Sequence, residues 1–155
     1  IPIDIVETPF SDVLNATQER SILKTFYVTR EALKLLRIPY IAIAGTLLGA
    51  LRHHRRIPWD DDVDICIPPS SEFQLLIVVL LAELVRLDPE VIEDTADDGV
   101  SNIREVVRWL IRSKQRLGIS TRRAKTFRLT PESAYPYLDM WFCHGWEEKG
   151  GSGFV

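Results

Sequence analysis

The chain has 155 residues and a net charge of −3, from 19 Lys and Arg against 22 Asp and Glu. That length suits one domain with one core, and the mild acidity argues against a protein that grips a nucleic-acid backbone by bulk charge. Eight glycines, nine prolines, no heptad repeat and abundant Leu, Ile and Val exclude collagen-like, coiled-coil and disordered classes.

The first helix is predicted from about Thr17 to Arg37. Ile22, Leu23, Phe26, Leu33 and Leu36 share one face, and Pro39 ends it. Tyr40 to Ala44 reads as a short buried strand broken by Gly45, with a short helix from Thr46 to Arg52. Ile57-Pro58-Trp59 is a turn before a second strand, Val63 to Ile67, which Pro68 and Pro69 stop. Ser71 and Gln74 make a capping-box pattern for a helix through about Leu87. It is apolar on nearly every side and is expected to be deeply buried. Its longest apolar run, Leu75 to Ala82, is far short of the about 20 residues that span a bilayer.

Val91 to Glu93 reads as a short edge strand and Asp94 to Asn102 as an acidic loop. Ile103, Val106, Val107, Leu110 and Ile111 step at helix spacing, with Gly118 as the stop signal. Arg104, Arg108, Arg112 and Arg116 recur every four residues, which would set a basic ridge on that helix. Lys125 to Leu129 and Tyr137 to Cys143 read as two further strands. The expected class is α+β: a mixed sheet flanked by helices in one domain. Cys66 and Cys143 are too few for a disulfide scaffold. Two buried thiols are the expected state, with one bridge as the alternative. Ile1 in place of Met and the closing Lys149-Gly150-Gly151-Ser152-Gly153 read as cut ends, so neither says anything of compartment.

Chemistry concentrates in two places. Asp60, Asp61, Asp62 and Asp64 crowd the mouth of an apolar strand, where mutual repulsion calls for compensation. A solvated turn would explain Asp60 to Asp62, but Asp64 lies inside the strand, between Val63 and Ile65. Alternate side chains share a strand face, so Asp62 and Asp64 point the same way. Hard oxygen donors so placed suit one or two Mg2+ or Mn2+ ions. Gly45-Thr46 opens a helix directly after a strand, where free N–H groups and a hydroxyl suit a phosphate. Arg52 is placed to add a guanidinium fork, while His53, Arg55 and Arg56 read as a solvated basic loop. Asp139 is the third acid, interrupting Tyr137-Leu138-Asp139-Met140-Trp141; pairing with an arginine is its structural alternative. The histidines and cysteines show no zinc spacing.

Gly45-Thr46-Leu47-Leu48-Gly49-Ala50-Leu51-Arg52 followed by Ile57-Pro58-Trp59-Asp60-Asp61-Asp62-Val63-Asp64-Ile65 closely resembles the signature of the LicD/fukutin/fukutin-related protein family. Tyr135-Pro136-Tyr137-Leu138-Asp139-Met140-Trp141 is similar to that family's second acidic motif. The resemblance implies a nucleotidyltransferase-like fold and metal-dependent transfer of phosphocholine or ribitol (polyol) phosphate from a CDP-linked donor to a glycan or glycoprotein hydroxyl. It assigns Asp62, Asp64 and Asp139 as catalytic metal ligands, and Gly45 and Thr46 to the phosphate-contacting turn; Asp60 and Arg52 are expected as further substrate contacts from their place beside these residues. Release of pyrophosphate by nucleotidyl transfer, or a non-catalytic glycan- or nucleotide-binding module, are the competing readings.

The implied organisation is a helical lead-in over 11–37 and a metal and phosphate core over 38–68. A variable helical segment over 69–124, a third-acid strand region over 125–145 and a flexible tail over 146–155 follow. The family's domain continues past its second motif, so C-terminal truncation is expected. The compartment would be the Golgi or secretory lumen in a eukaryote, and cytoplasmic or membrane-associated in a bacterium.

Overall fold

The computed structural model describes residues 12–92, 101–122 and 124–144. Helix α1 (Ala16–Leu35) opens on a capping box that the hydrophobic pattern alone does not reveal. Asn15 accepts from the Gln18 N–H at 2.9 Å, and Gln18 accepts from the Asn15 N–H at 3.0 Å. Ile22, Val28, Ala32 and Leu33 form its buried stripe. Strand β1 (Ile41–Ala42) is only two residues long. The expected strand through Ala44 is cut short because Ala44, at φ 48°, already turns the chain into α2 (Ala44–His53). Gly45 therefore lies in the first turn of a helix rather than at the end of a strand.

Strand β2 (Val63–Ile67) leads through a 3-10 turn, Pro69–Ser71, into α3 (Glu72–Leu87). The expected Ser71 capping box does not form. The Ser71 hydroxyl donates to the Pro68 carbonyl instead, and Gln74 donates to the Leu36 carbonyl at 3.4 Å. Nor is α3 deeply buried. It packs Leu75, Val78, Ala82 and Val85 inward, while Phe73, Leu80, Leu84 and Leu87 stay exposed, because α4 and β3 cover only one side of it. The expected edge strand at Val91 is a 3-10 turn, Pro89–Ile92, held by Asp88, whose carboxylate accepts the Glu90 N–H at 3.1 Å. Glu93 and residues 94–100 of the expected loop lie outside the described residues; Ser101 and Asn102 are already helical.

Helix α4 (Ser101–Arg112) buries Ile103, Val106, Val107 and Leu110. It ends six residues before Gly118, at a turn where Lys114 takes φ 57°. Residues Gln115–Ser120 form β3, a strand absent from the expected order. Gln115 and Leu117 point inward and Arg116 outward, a strand alternation that the four-residue arginine spacing obscures. The ridge therefore loses Arg116, which pairs with Glu83 at 3.0 Å, and Arg112 is paired with Glu105 at 3.6 Å. Strands β4 (Thr126–Pro131) and β5 (Leu138–Phe142) complete the sheet.

The sheet order is β1-β2-β5-β4-β3; β2 and β5 are parallel and the other pairs antiparallel. Register gives the sheet two unlike faces. Ile65, Phe127, Leu129, Leu138 and Met140 pack under the helices with Ile22, Leu33, Val78 and Leu110. Residues of the other parity, Asp64, Cys66, Arg128, Asp139 and Trp141, share the opposite face. Among the described residues, no helix is long and apolar enough to cross a membrane.

Cys66 and Cys143 are joined as a disulfide, with Cα atoms 5.7 Å apart, rather than standing as two thiols. The bridge ties the ends of β2 and β5 across 77 residues of sequence. Denatured, unreduced protein is expected to yield no reactive thiol. Cys66→Ser with Cys143→Ser should lower stability by roughly 2–4 kcal/mol, read by urea unfolding.

Candidate active site

The polar face of the sheet forms the floor of a cleft of about 550 Å³. Asp60, Asp61, Asp62 and Asp64 make one wall, Asp139 and Trp141 the centre, and Arg128 and Arg122 the other side. The acidic wall is held from behind by Arg56, whose side chain is 10% exposed. Its guanidinium donates to the carbonyls of Ile57 at 2.7 Å and Pro58 at 3.2 Å, and to that of Asp60. Arg56 is thus a structural pin, not part of a solvated basic loop.

Asp60, Asp61 and Asp62 each offer a carboxylate oxygen, all within 4.8 Å of one another. Such a set of hard donors fits a divalent cation of the magnesium or manganese kind. The Asp62 carboxyl is pushed up to about 7, first by burial and then by repulsion from Asp64, Asp60 and Asp61. Without a cation the cluster therefore retains a proton near neutral pH. Tyr135 donates to Asp61 at 3.0 Å and secures that carboxylate.

Asp64 and Asp139 are register partners on β2 and β5. Burial pushes Asp64 up, and the Trp141 indole N–H, 2.7 Å from its Oδ1, opposes that shift. Asp139 is 5% exposed and bound at both oxygens by Arg128, through Nε and Nη2, each at 2.7 Å. Arg128 is its register partner on β4 and lies 3.7 Å over the Tyr137 ring. The Asp139 hydrogen bonds push Arg128 still higher, so it stays charged. Only strand register reveals the place of Arg128 against Asp139.

Gly45 and Thr46 support the acidic wall. A Cβ on Gly45 would overlap the Asp60 carboxylate, so a larger residue there would displace that side chain. Thr46 Oγ1 accepts the Asp64 N–H at 2.9 Å and so braces β2, but neither Gly45 nor Thr46 lines the cleft. The α2 N-terminus has no side-chain cap. Arg52 lies in the opposite, last turn of α2, exposed and outside the cleft lining. Among the described residues, the cations that line the cleft are Arg128 and Arg122.

A mixed sheet flanked by helices, with paired strand aspartates and an acidic loop over one cleft, defines a nucleotidyltransferase-like protein of α+β class. Residues 37–148 match the LicD/FKTN/FKRP nucleotidyltransferase domain, and the chain belongs to that family. An uncharacterised protein of Rickettsia prowazekii is 49% identical over 47 residues, covering 30% of this chain and 18% of that protein. The lipopolysaccharide cholinephosphotransferase LicD of Haemophilus influenzae is 40% identical over 63 residues, covering 41% of this chain and 22% of that enzyme. The matches thus span about a fifth of these curated relatives' length.

Three outcomes follow from the charges. Asp62 in the folded protein binds a proton up to about pH 7, whereas its ordinary value is 3.8. The folded state therefore holds more protons than the unfolded one between these limits, and stability contributed by this group falls as pH rises through them. Melting of metal-free protein should drop from pH 5 to pH 8, and Asp62→Asn should flatten that slope. Mn2+ must expel this proton, so its apparent affinity should rise about tenfold from pH 6 to pH 8, read by calorimetry. Arg128→Met leaves Asp139 buried without its partner and should cost roughly 3 kcal/mol in urea unfolding.

Proposed function

We propose that this chain transfers a phosphate-linked small group, phosphocholine or a polyol phosphate such as ribitol phosphate, from a CDP-linked donor to a glycan hydroxyl. The observation that carries this reading is the alignment of Asp64 with Asp139 on adjacent parallel strands beneath the Asp60–Asp61–Asp62 cluster. A donor diphosphate needs charge neutralisation and fixed geometry more than covalent help. The name of the Haemophilus relative, a cholinephosphotransferase, supports the same class of chemistry.

In this scheme Asp62 and Asp64, with Asp60 and Asp61 beside them, hold Mg2+ or Mn2+ at the cleft wall, and Asp139 completes the ligand set. Bound there, a divalent cation would neutralise the diphosphate and the leaving CMP. The chain's own residues do the rest. Thr46 and the uncapped start of α2 lie beside the acidic wall, outside the cleft lining, and the phosphate contact that the family signature implies for Gly45 and Thr46 belongs to this proposal. Arg128 and Arg122 face the same cleft and favour an anionic donor.

The acceptor oxygen attacks the phosphorus of the transferred group. The bond from that phosphorus to the CMP oxygen breaks, and CMP leaves with the electron pair. The hydroxyl proton passes to a carboxylate. For Asp139 to take it, Arg128 must release one of the two oxygens it engages.

Calorimetric titration of CDP-choline, CDP-ribitol and CTP, with and without Mg2+, tests the reading. A CDP-linked donor should bind only with Mg2+, and Asp64→Asn should weaken it at least tenfold. Donor binding that ignores Mg2+ and survives Asp64→Asn overturns the metal scheme. Binding of CTP alone would replace group transfer by nucleotidyl transfer with loss of pyrophosphate.

A further inference from the structure

Asp64 is held through its backbone and through one of its two carboxylate oxygens. Its N–H donates to Thr46 Oγ1 at 2.9 Å, and its carbonyl accepts the Ile43 N–H at 3.2 Å. Its Oδ1 accepts the Trp141 indole N–H at 2.7 Å. Among the described residues nothing donates to Oδ2. Trp141 is the register partner of Cys66, one pleat beyond Asp139, and its ring leans back along the polar face to reach Asp64.

An indole N–H is a donor only: it can neither ligate a metal nor carry a proton between groups. What it can do is fix an acceptor. The carboxylate torsion of an aspartate is broad when unrestrained, and a short bond to an ionised oxygen removes that freedom. We propose that Trp141 is a positioning residue: by taking Asp64 Oδ1 it presents Oδ2 as a single, oriented oxygen to a divalent cation in the cleft. The inference rests on the cation site proposed above. It assigns to Trp141 a role distinct from packing, since an apolar ring of the same shape would pack equally well.

The test is Mn2+ binding by calorimetry to three proteins: the wild-type chain, Trp141→Phe, and the chain carrying 3-benzothienylalanine at position 141. That analogue keeps the bicyclic shape and replaces the N–H by sulfur. Both replacements should weaken Mn2+ binding about tenfold or more, the range for lost partners of metal ligands. The analogue should still unfold cooperatively in EDTA, with its melting point lowered by about 3–10 °C for the lost hydrogen bond. Should Trp141→Phe fail to fold, the analogue still decides. In metal-free wild type, the Trp141 indole 1H–15N resonance should move upfield on Asp64→Ala. Mn2+ binding by the analogue that is unchanged or tighter overturns the positioning role and leaves the cation site standing. Absence of Mn2+ binding by wild type overturns both.

Discussion

The pairing of β2 with β5 sets two aspartates, Asp64 and Asp139, side by side on one face of a sheet. Adjacent strands lie about 4.8 Å apart. Two unit charges at that spacing repel by roughly 3 kcal/mol at an effective dielectric of 20. Asp62, in the bend just before β2, adds a third carboxylate to the same cleft, and Asp60 and Asp61 crowd beside it. No arrangement of this kind survives by chance in a protein whose net stability is only about 5–15 kcal/mol. The surrounding structure reads as a set of answers to that repulsion.

The answers are unequal, and the inequality divides the labour of the acids. Asp139, the most buried, receives a full counter-charge from Arg128. Asp64 receives a neutral donor, Trp141, which steadies one oxygen without cancelling the charge. Asp62 receives no cation from the described residues and answers by holding a proton to about pH 7. The uncompensated charge is therefore graded toward the mouth of the cleft. A cation arriving there meets the acids that the protein has left least satisfied, which is the arrangement expected where a site is tuned for a ligand rather than for stability.

Much of this was legible in the sequence because strand parity is a strong constraint. Asp64 and Asp139 each interrupt a branched apolar run, so their place on a sheet face follows from alternation; Asp62, expected on the same strand, falls instead in the bend before β2. The identity of Asp139's partner did not follow, because Arg128 meets it through a register that only the β4 turn and β5 packing define. Strand β3 was hidden for a related reason. Arg108, Arg112 and Arg116 continue a helical period across the Ser113-Lys114 turn, and Gly118, read as a helix stop, sits in the middle of the strand. Arg56 looked solvated because its partners are backbone carbonyls, which leave no trace in side-chain patterning. The misjudged burial of α3 has the opposite cause: composition measures how apolar a helix is, not how many neighbours the fold supplies.

The hairpin of β3 and β4 explains why the two acidic motifs can be so far apart in sequence. Between β2 and β5 the chain forms α3, α4 and this hairpin, then inserts β5 between β2 and β4. One edge of β5 thereby takes a parallel acidic strand and the other an antiparallel strand bearing Arg128. Had β5 paired at the outer edge of the hairpin, Asp139 would face an arginine or an aspartate, but not both. Central placement gives it one of each in the same row, Asp64–Asp139–Arg128. A row of two negative charges and one positive carries a net charge of −1, and with the Asp60–Asp61–Asp62 cluster above it the site remains strongly acidic. The same strands are covered on their other face by the apolar core, so the acids cannot escape by rotating the sheet without exposing Ile65, Leu138 and Met140. Register, held by that core and closed by the Cys66–Cys143 bridge, is thus what keeps the repulsion in place for a cation to relieve.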